Sequence, residues 1–486
     1  MNRLGKPKII NDEENSPKNQ SFHIACILTT FSLLLAIMIG FSPNSKGIYK
    51  LLFMIPLVYG CLNFIFFRVY DRKSFPKVTI LLLMFIRYFI GPLFIYFDKF
   101  PSSLYNLVYS QDTIILATFL MCIEVSCLFG ALWIFEKKRE NPAIGKREYD
   151  FLSGKNFGKI NLLLTALIII TAAMYLVYPA LFHNYYFIFD QSIQNTTLLN
   201  EQKLKSSIPN GLRWIGYTLG EITHYTVLAK LLAVIYNKYN KKPWNGYIYI
   251  AILIIILNAT ITTSRQMSGL IMSAILYMQL IRMFPKRRRL LLNLSIVSGL
   301  SVITTLIISY LSLSATYRTI SSLVESYTNG FYGIYQSLES LTLANLGFFE
   351  KYQLLFLGDT LGFINVISTF LSRSGQINST DVYNYYLYGS GVSGGQIIPM
   401  ISQGYLYLGL LFSPAISVAS VVLMYRYDGK VRQGKGSYMC NMFLAIVFAV
   451  APIMYNYSIL LLLLTTVAFP LYIASLLNSI NLGRKQ

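Results

Sequence analysis

Charge is the scarcest thing in this chain. Only 13% of its 486 residues are Asp, Glu, Lys or Arg, where a soluble protein carries about 25%. That deficit excludes a water-soluble globular fold and any separate soluble domain larger than the longest loops. The five cysteines, Cys26, Cys61, Cys122, Cys127 and Cys440, all fall inside apolar runs. They show neither metal-ligand spacing nor a disulfide framework, and buried thiols are the reading that fits. There is no Walker-type lysine loop, no His-Glu-x-x-His and no Asp-x-Asp pair for a metal-bound nucleotide sugar. The first residues mix Arg3, Lys6, Lys8 and Lys18 with Asp12, Glu13 and Glu14, too polar for the core of a signal peptide. No small-residue cleavage site follows the first apolar run, which is therefore expected to be retained as a helix.

What is abundant is hydrocarbon. The chain is 55% hydrophobic with a mean hydropathy of +0.52. Apolar runs of about twenty residues recur from Phe22 to Leu477, each able to span roughly 30 Å of bilayer as a helix. The pattern predicts an all-α, polytopic membrane protein of about twelve spans. They fall at about 22–41, 50–67, 78–97, 113–135, 160–182, 212–236, 247–263, 267–283, 290–313, 397–425, 438–455 and 457–478.

The formal charge of +21 would suggest nucleic acid in a soluble protein. Here it follows topology. With the N-terminus inside, the cytoplasmic stretches collect Arg68, Arg72, Lys73 and Lys77, then Lys137, Lys138, Arg139, Lys146, Arg147, Lys155 and Lys159. Lys238, Lys241 and Lys242 follow, then Arg282 with Lys286 to Arg289, then Arg426, Lys430, Arg432 and Lys435, and finally Arg484 and Lys485. The external side holds far fewer, as positive-inside sorting produces. Both termini are expected in the cytoplasm, and no nucleic-acid partner is expected. The organisation reads as a cytoplasmic tail 1–21, a membrane domain 22–313 of nine helices with an external loop 183–211, a large external loop 314–396, three further helices in 397–478, and a cytoplasmic tail 479–486.

The two long external segments are rich in Tyr, Phe, Ile and Leu, so they are not disordered by composition. Phe331, Ile334, Tyr335, Leu338 and Leu341 recur at helical spacing with Gln336, Ser337, Glu339 and Ser340 opposite. That predicts an amphipathic helix lying on the outer membrane face. Residues 356–371 form a shorter apolar piece containing Asp359, re-entrant or interfacial by its length.

Ionisable residues inside spans are costly and face the protein interior. Arg87 and Glu124 each lie ten or so residues from the outer ends of their helices. At 1.5 Å per residue both sit roughly 15 Å deep, so they are expected to form a structural pair. Glu221 and His224 share one face of the sixth helix and read as a proton-transfer site, a substrate contact or a satisfied polar patch. Arg265, in a tight hairpin after Thr262-Thr263-Ser264, and Arg318 and Arg373 lie on the expected external side. Guanidinium groups match phosphate oxygens and keep their charge, which favours anion binding over contact with lipid head groups alone. Gly389-Ser390-Gly391-Val392-Ser393-Gly394 spells a dinucleotide fingerprint but lacks the strand–turn–helix context, and reads as a flexible lead-in to the tenth helix.

With these features the chain resembles the Wzy-type polymerases of bacterial O-antigen and capsular repeat units. The resemblance is carried by Ser264-Arg265 between paired helices, Tyr317-Arg318 after the next, a long external loop closing with Gly394-Gly395-Gln396-Ile397-Ile398-Pro399, and Gly404-Tyr405-Leu406-Tyr407-Leu408-Gly409. It implies polymerisation of undecaprenyl-pyrophosphate-linked oligosaccharide at the outer face of the bacterial cytoplasmic membrane, without cofactor or metal. It further implies contact with membrane lipid, and with a chain-length regulator and flippase of the same pathway. Arg265, Arg318 and Arg373 would neutralise the departing pyrophosphate, and Glu221, His224, Glu325 and Asp381 are the candidate bases, with no choice among them. A lipid-linked oligosaccharide flippase is the rival from another class, although repeated halves are missing. A polysaccharide ligase shares the topology. A membrane acyltransferase would use a histidine near the start of a span, and His23 has no supporting acidic partner.

Overall fold

A computed structural model describes residues 18–43, 51–71, 74–98, 110–137, 162–178, 210–239, 320–362, 377–388 and 397–480, with scattered single positions elsewhere. The described residues are helical, and no β-strand occurs among them. The expected spans at 247–263, 267–283 and 290–313 lie outside the described residues, apart from a few single positions.

The first helices are α1 (Lys18–Gly40), α2 (Met54–Ile65), α3 (Phe75–Phe97), α4 (Gln111–Lys137), α5 (Leu162–Val177) and α6 (Asn210–Tyr239). Gln20–Gly40 of α1, together with α3, α4 and Tyr457–Leu477, are the four stretches among the described residues long and apolar enough to cross a membrane. Their surfaces say the same. On α1, Leu35, Ala36 and Ile39 are buried while Ile27, Phe31, Leu34 and Ile37 point outward, and apolar side chains facing away from the core need hydrocarbon around them.

Two buried ion pairs tie α3 to α4 in antiparallel register. Lys77 Nζ meets Glu136 Oε2 at 3.1 Å, and Arg87 Nη2 meets Glu124 Oε2 at 3.1 Å. Ten residues separate the two cations along α3, about 15 Å of rise. Between Ile86 and Ile90 α3 widens into a π-helical turn, so Arg87 stands where the helix register changes.

The remaining helices are α7 (Ile320–Thr328), α8 (Phe331–Ala344), α9 (Phe348–Gln353), which runs on into a π-helical turn at Leu354–Leu361, and α10 (Ser379–Tyr388). After these come α11 (Met400–Phe412), α12 (Ala415–Arg432) and α13 (Tyr438–Met454). The last, α14, runs from Tyr457–Leu463 through a π-helical turn at Leu464–Ala468 to Phe469–Ile480. α12 and α13 pack along one another, α13 also packs on α3, and α8 lies against α4, α10 and α11.

Two expectations are corrected here. The stretch 397–425 does not form one helix: α11 and α12 meet at an angle of 102°. Pro414 cannot donate to the preceding turn, and Gly409 already holds a left-handed φ of 73°. Gly404 sits against the elbow so closely that a Cβ there would overlap the Ser413 carbonyl oxygen. Gly404→Ala should therefore cost about 1–3 kcal/mol, read as a lower thermal midpoint of the purified protein. The second correction concerns α8, whose polar face is not open to water. Its apolar residues and its polar ones, Gln336, Ser337, Glu339 and Ser340 included, are buried from Phe331 to Leu341 except half-buried Gly333. α4, α10 and α11 lie against the helix, and on its polar side Gln336 meets Tyr383 of α10 and Ser337 meets Ser402 of α11.

Candidate functional site

Two buried polar centres form where helices are interrupted. The first surrounds Arg87. A helix leaves its last carbonyls unpaired, and the end of α13 is served by side chains from elsewhere: Arg87 Nη1 donates to Pro452 O at 3.1 Å and Asn329 Nδ2 to Met454 O at 3.2 Å. Glu124 is engaged on both oxygens. Tyr88 OH donates to Oε2 at 2.9 Å and Ser417 Oγ to Oε1 at 3.0 Å. The Arg87–Glu124 contact is a charge pair rather than an aligned hydrogen bond, since Nη2 and Nε find no acceptor.

Glu325, on α7, belongs to this centre. α7 packs on the C-terminal half of α3, and the Glu325 carboxyl turns onto the start of α8, where Tyr332 N donates to Oε2 at 2.8 Å. Free amides at a helix N-terminus favour negative charge. Gly330 makes room for it, because a Cβ there would overlap the carboxyl, and Gly91 of α3 lies alongside. Glu325 is 4% exposed, and its Oε1 has no hydrogen-bond partner. Burial pushes its carboxyl up to about 7, against the opposing pull of the Tyr332 amide and of Arg87.

The second centre is built on Asp359, buried within the π-helical turn after α9. Its carboxylate accepts from Ser379 N at 3.0 Å, Gln403 Nε2 at 2.7 Å and Tyr407 OH at 2.5 Å. Gln403 Nε2 also reaches Ser379 Oγ and Ser458 Oγ, while its Oε1 accepts from Tyr457 N at 2.8 Å. Asn456 caps the start of α14 through Ile459 N and donates to Thr380 Oγ1. The first turns of α10, α11 and α14 are thereby fastened to one carboxylate.

The remaining sequence candidates are dispersed. Glu221 is buried and His224 half-buried on α6, close enough for their charges to interact, on a helix that packs against α5 and α14. Asp381 exchanges bonds with Asn378: its Oδ2 accepts from Asn378 N and Nδ2, and its amide donates to Asn378 Oδ1. That reciprocal pattern is a capping box for α10. Arg265, Arg318 and Arg373 lie outside the described residues, as does the glycine-rich stretch 389–394.

Comparison with family models, with curated proteins and with solved structures finds no match to this chain. Its site is therefore read from its own chemistry. Among the described residues no three His, Cys, Asp or Glu side chains gather as a metal site requires. What gathers is a carboxyl whose burial holds it near neutral pH, a guanidinium close by, and a helix N-terminus. The constellation can accept a proton from a hydroxyl and tolerate the negative charge that follows. Tyr88, Ser417 and the Pro452 carbonyl were missed by sequence reasoning, and so was Gln403. Only Pro452 left a signal, as a proline near the end of a span; hydroxyls and amides in apolar runs carry none.

Proposed function

We propose that this chain polymerises undecaprenyl-pyrophosphate-linked oligosaccharide repeat units, with about twelve spans and residues 314–396 on the external side of a bacterial cytoplasmic membrane. The observation that carries this reading is Glu325: a buried carboxyl with one unpaired oxygen, on a short helix, packed against the broken middle of a membrane-capable helix. In the reaction, an acceptor sugar hydroxyl attacks the anomeric carbon of the donor chain. A C–O bond forms, the bond to pyrophosphate breaks, and Glu325 takes the hydroxyl proton. Arg265, Arg318 and Arg373 stabilise the pyrophosphate as it leaves. A base titrating near the working pH suits such a step, and among the four candidate bases Glu325 is the one held beside Arg87.

One observation favours a second reading. Interrupted helices around buried polar groups, as at Asp359, are the form that substrate sites take in transporters, which keeps a flippase in view. Deletion followed by glycan sizing separates the two. A polymerase mutant should retain surface glycan of single repeat units, whereas a flippase mutant should lose surface glycan altogether. Restoring the chain with Arg265→Ala and Arg318→Ala should leave growth at single units; chains of normal length would remove the pyrophosphate role from those arginines.

A further inference from the structure

On α8, Gln336, Glu339 and Ser340 stand at i, i+3 and i+4, within about 100° of arc around the helix axis. All three are buried, and each keeps a polar atom with no hydrogen-bond partner: Gln336 Nε2, Glu339 Oε2 and Ser340 Oγ. The other end of Gln336 is held, since Tyr383 OH donates to its Oε1 at 3.4 Å, which aims the amide nitrogen away from α10. The shortage does not extend round the helix. Ser337, on the adjoining face, donates to Ile334 O and meets Ser402 Oγ at 2.7 Å.

Buried polar atoms without partners weaken a fold and call for an explanation. Here they offer a donor, an acceptor and a hydroxyl within little more than one turn. A phosphate would be repelled by Glu339, and a cation has no use for an amide donor. The set matches adjacent hydroxyls of a sugar, each of which both donates and accepts. We propose that Gln336, Glu339 and Ser340 form a subsite for one sugar ring of the repeat-unit oligosaccharide. The inference rests on the polymerase reading and deepens it. At 1.5 Å per residue the strip lies roughly 6–12 Å along α8 from the Tyr332 amide that holds Glu325, about one or two sugar rings from the base.

The test uses the full chain in phospholipid nanodiscs. The probe is the oligosaccharide released by mild acid from lipid-linked precursors of the host membrane, and binding is followed by calorimetry. Ser340→Ala and Gln336→Leu should each weaken binding about 10-fold, and the Ser340→Ala midpoint should be unchanged or raised, because that change removes only an atom that has no partner in the empty protein. Ser337→Ala should do the opposite, lowering the midpoint and leaving affinity unchanged. Wild-type affinity in both Ser340→Ala and Gln336→Leu would mean that the strip holds water alone, and would overturn the proposal. Weakened binding in a host whose deletion strain lacks surface glycan altogether would keep the subsite and discard the polymerase. A host membrane without lipid-linked oligosaccharide would discard both.

Discussion

Replacing Glu325 with Gln should slow glycan chain growth by about 10²–10⁴-fold, the usual contribution of a positioned base, while leaving the chain folded. Gln keeps the shape and can still accept from Tyr332 N, but it cannot take a proton from the acceptor. In the wild type, growth should rise with pH through about 7 as the carboxyl ionises. Stability should move the other way. Between the ordinary 4.5 and about 7 the folded chain keeps a proton that the unfolded chain has lost, so stability falls as pH rises across that window and is level above it. Glu325→Gln removes this contribution to the slope, and the variant should exceed the wild type in stability at pH 8 by on the order of 3 kcal/mol. Thermal scans at pH 5 and pH 8 beside growth assays measure both effects. Undiminished growth in E325Q would end the assignment.

Arg87→Met should be the most damaging single change to the fold. It strands Glu124 as an unpaired buried carboxylate and leaves the Pro452 carbonyl without its donor. Breaking a buried pair from one side costs about 3–5 kcal/mol. Adding Glu124→Leu removes the stranded charge, so the double variant should be more stable than Arg87→Met alone by on the order of 1–3 kcal/mol. Expression and thermal midpoint of the four members of this cycle give the answer. A double variant that is weaker than either single would mean that Tyr88 and Ser417, left without Glu124, matter more than the charges.

What could be read from the sequence follows from how locally it is encoded. The apolar stretches that became α1, α3, α4 and α14 are visible because twenty apolar residues are their own signal. The meeting of Arg87 and Glu124 is visible because rise per residue converts position into depth. The elbow between α11 and α12 is only half-visible: Gly409 and Pro414 announce it, yet hydropathy runs smoothly across them. The burial of α8 is invisible to periodicity, which reports a polar face and not whether protein or water covers it. Partners such as Gln403 and Asp359, forty-four residues apart, leave no mark on either segment alone. Of the four candidate bases, the choice of Glu325 depends on Gly91, Gly330 and the start of α8 converging on one carboxyl, a matter of three dimensions.

The π-helical turns at 86–90, 354–361 and 464–468 set azimuth. Each fits an additional residue into the winding, and an α-helix advances about 100° per residue. Excising one residue from 86–90 would restore ordinary pitch but swing Pro92 and Ile95, both buried, by more than a quarter-turn relative to Lys77. The half of α3 paired with Glu136 and the half facing Glu325 can therefore satisfy their separate neighbours only because the turn between them works as a fixed vernier.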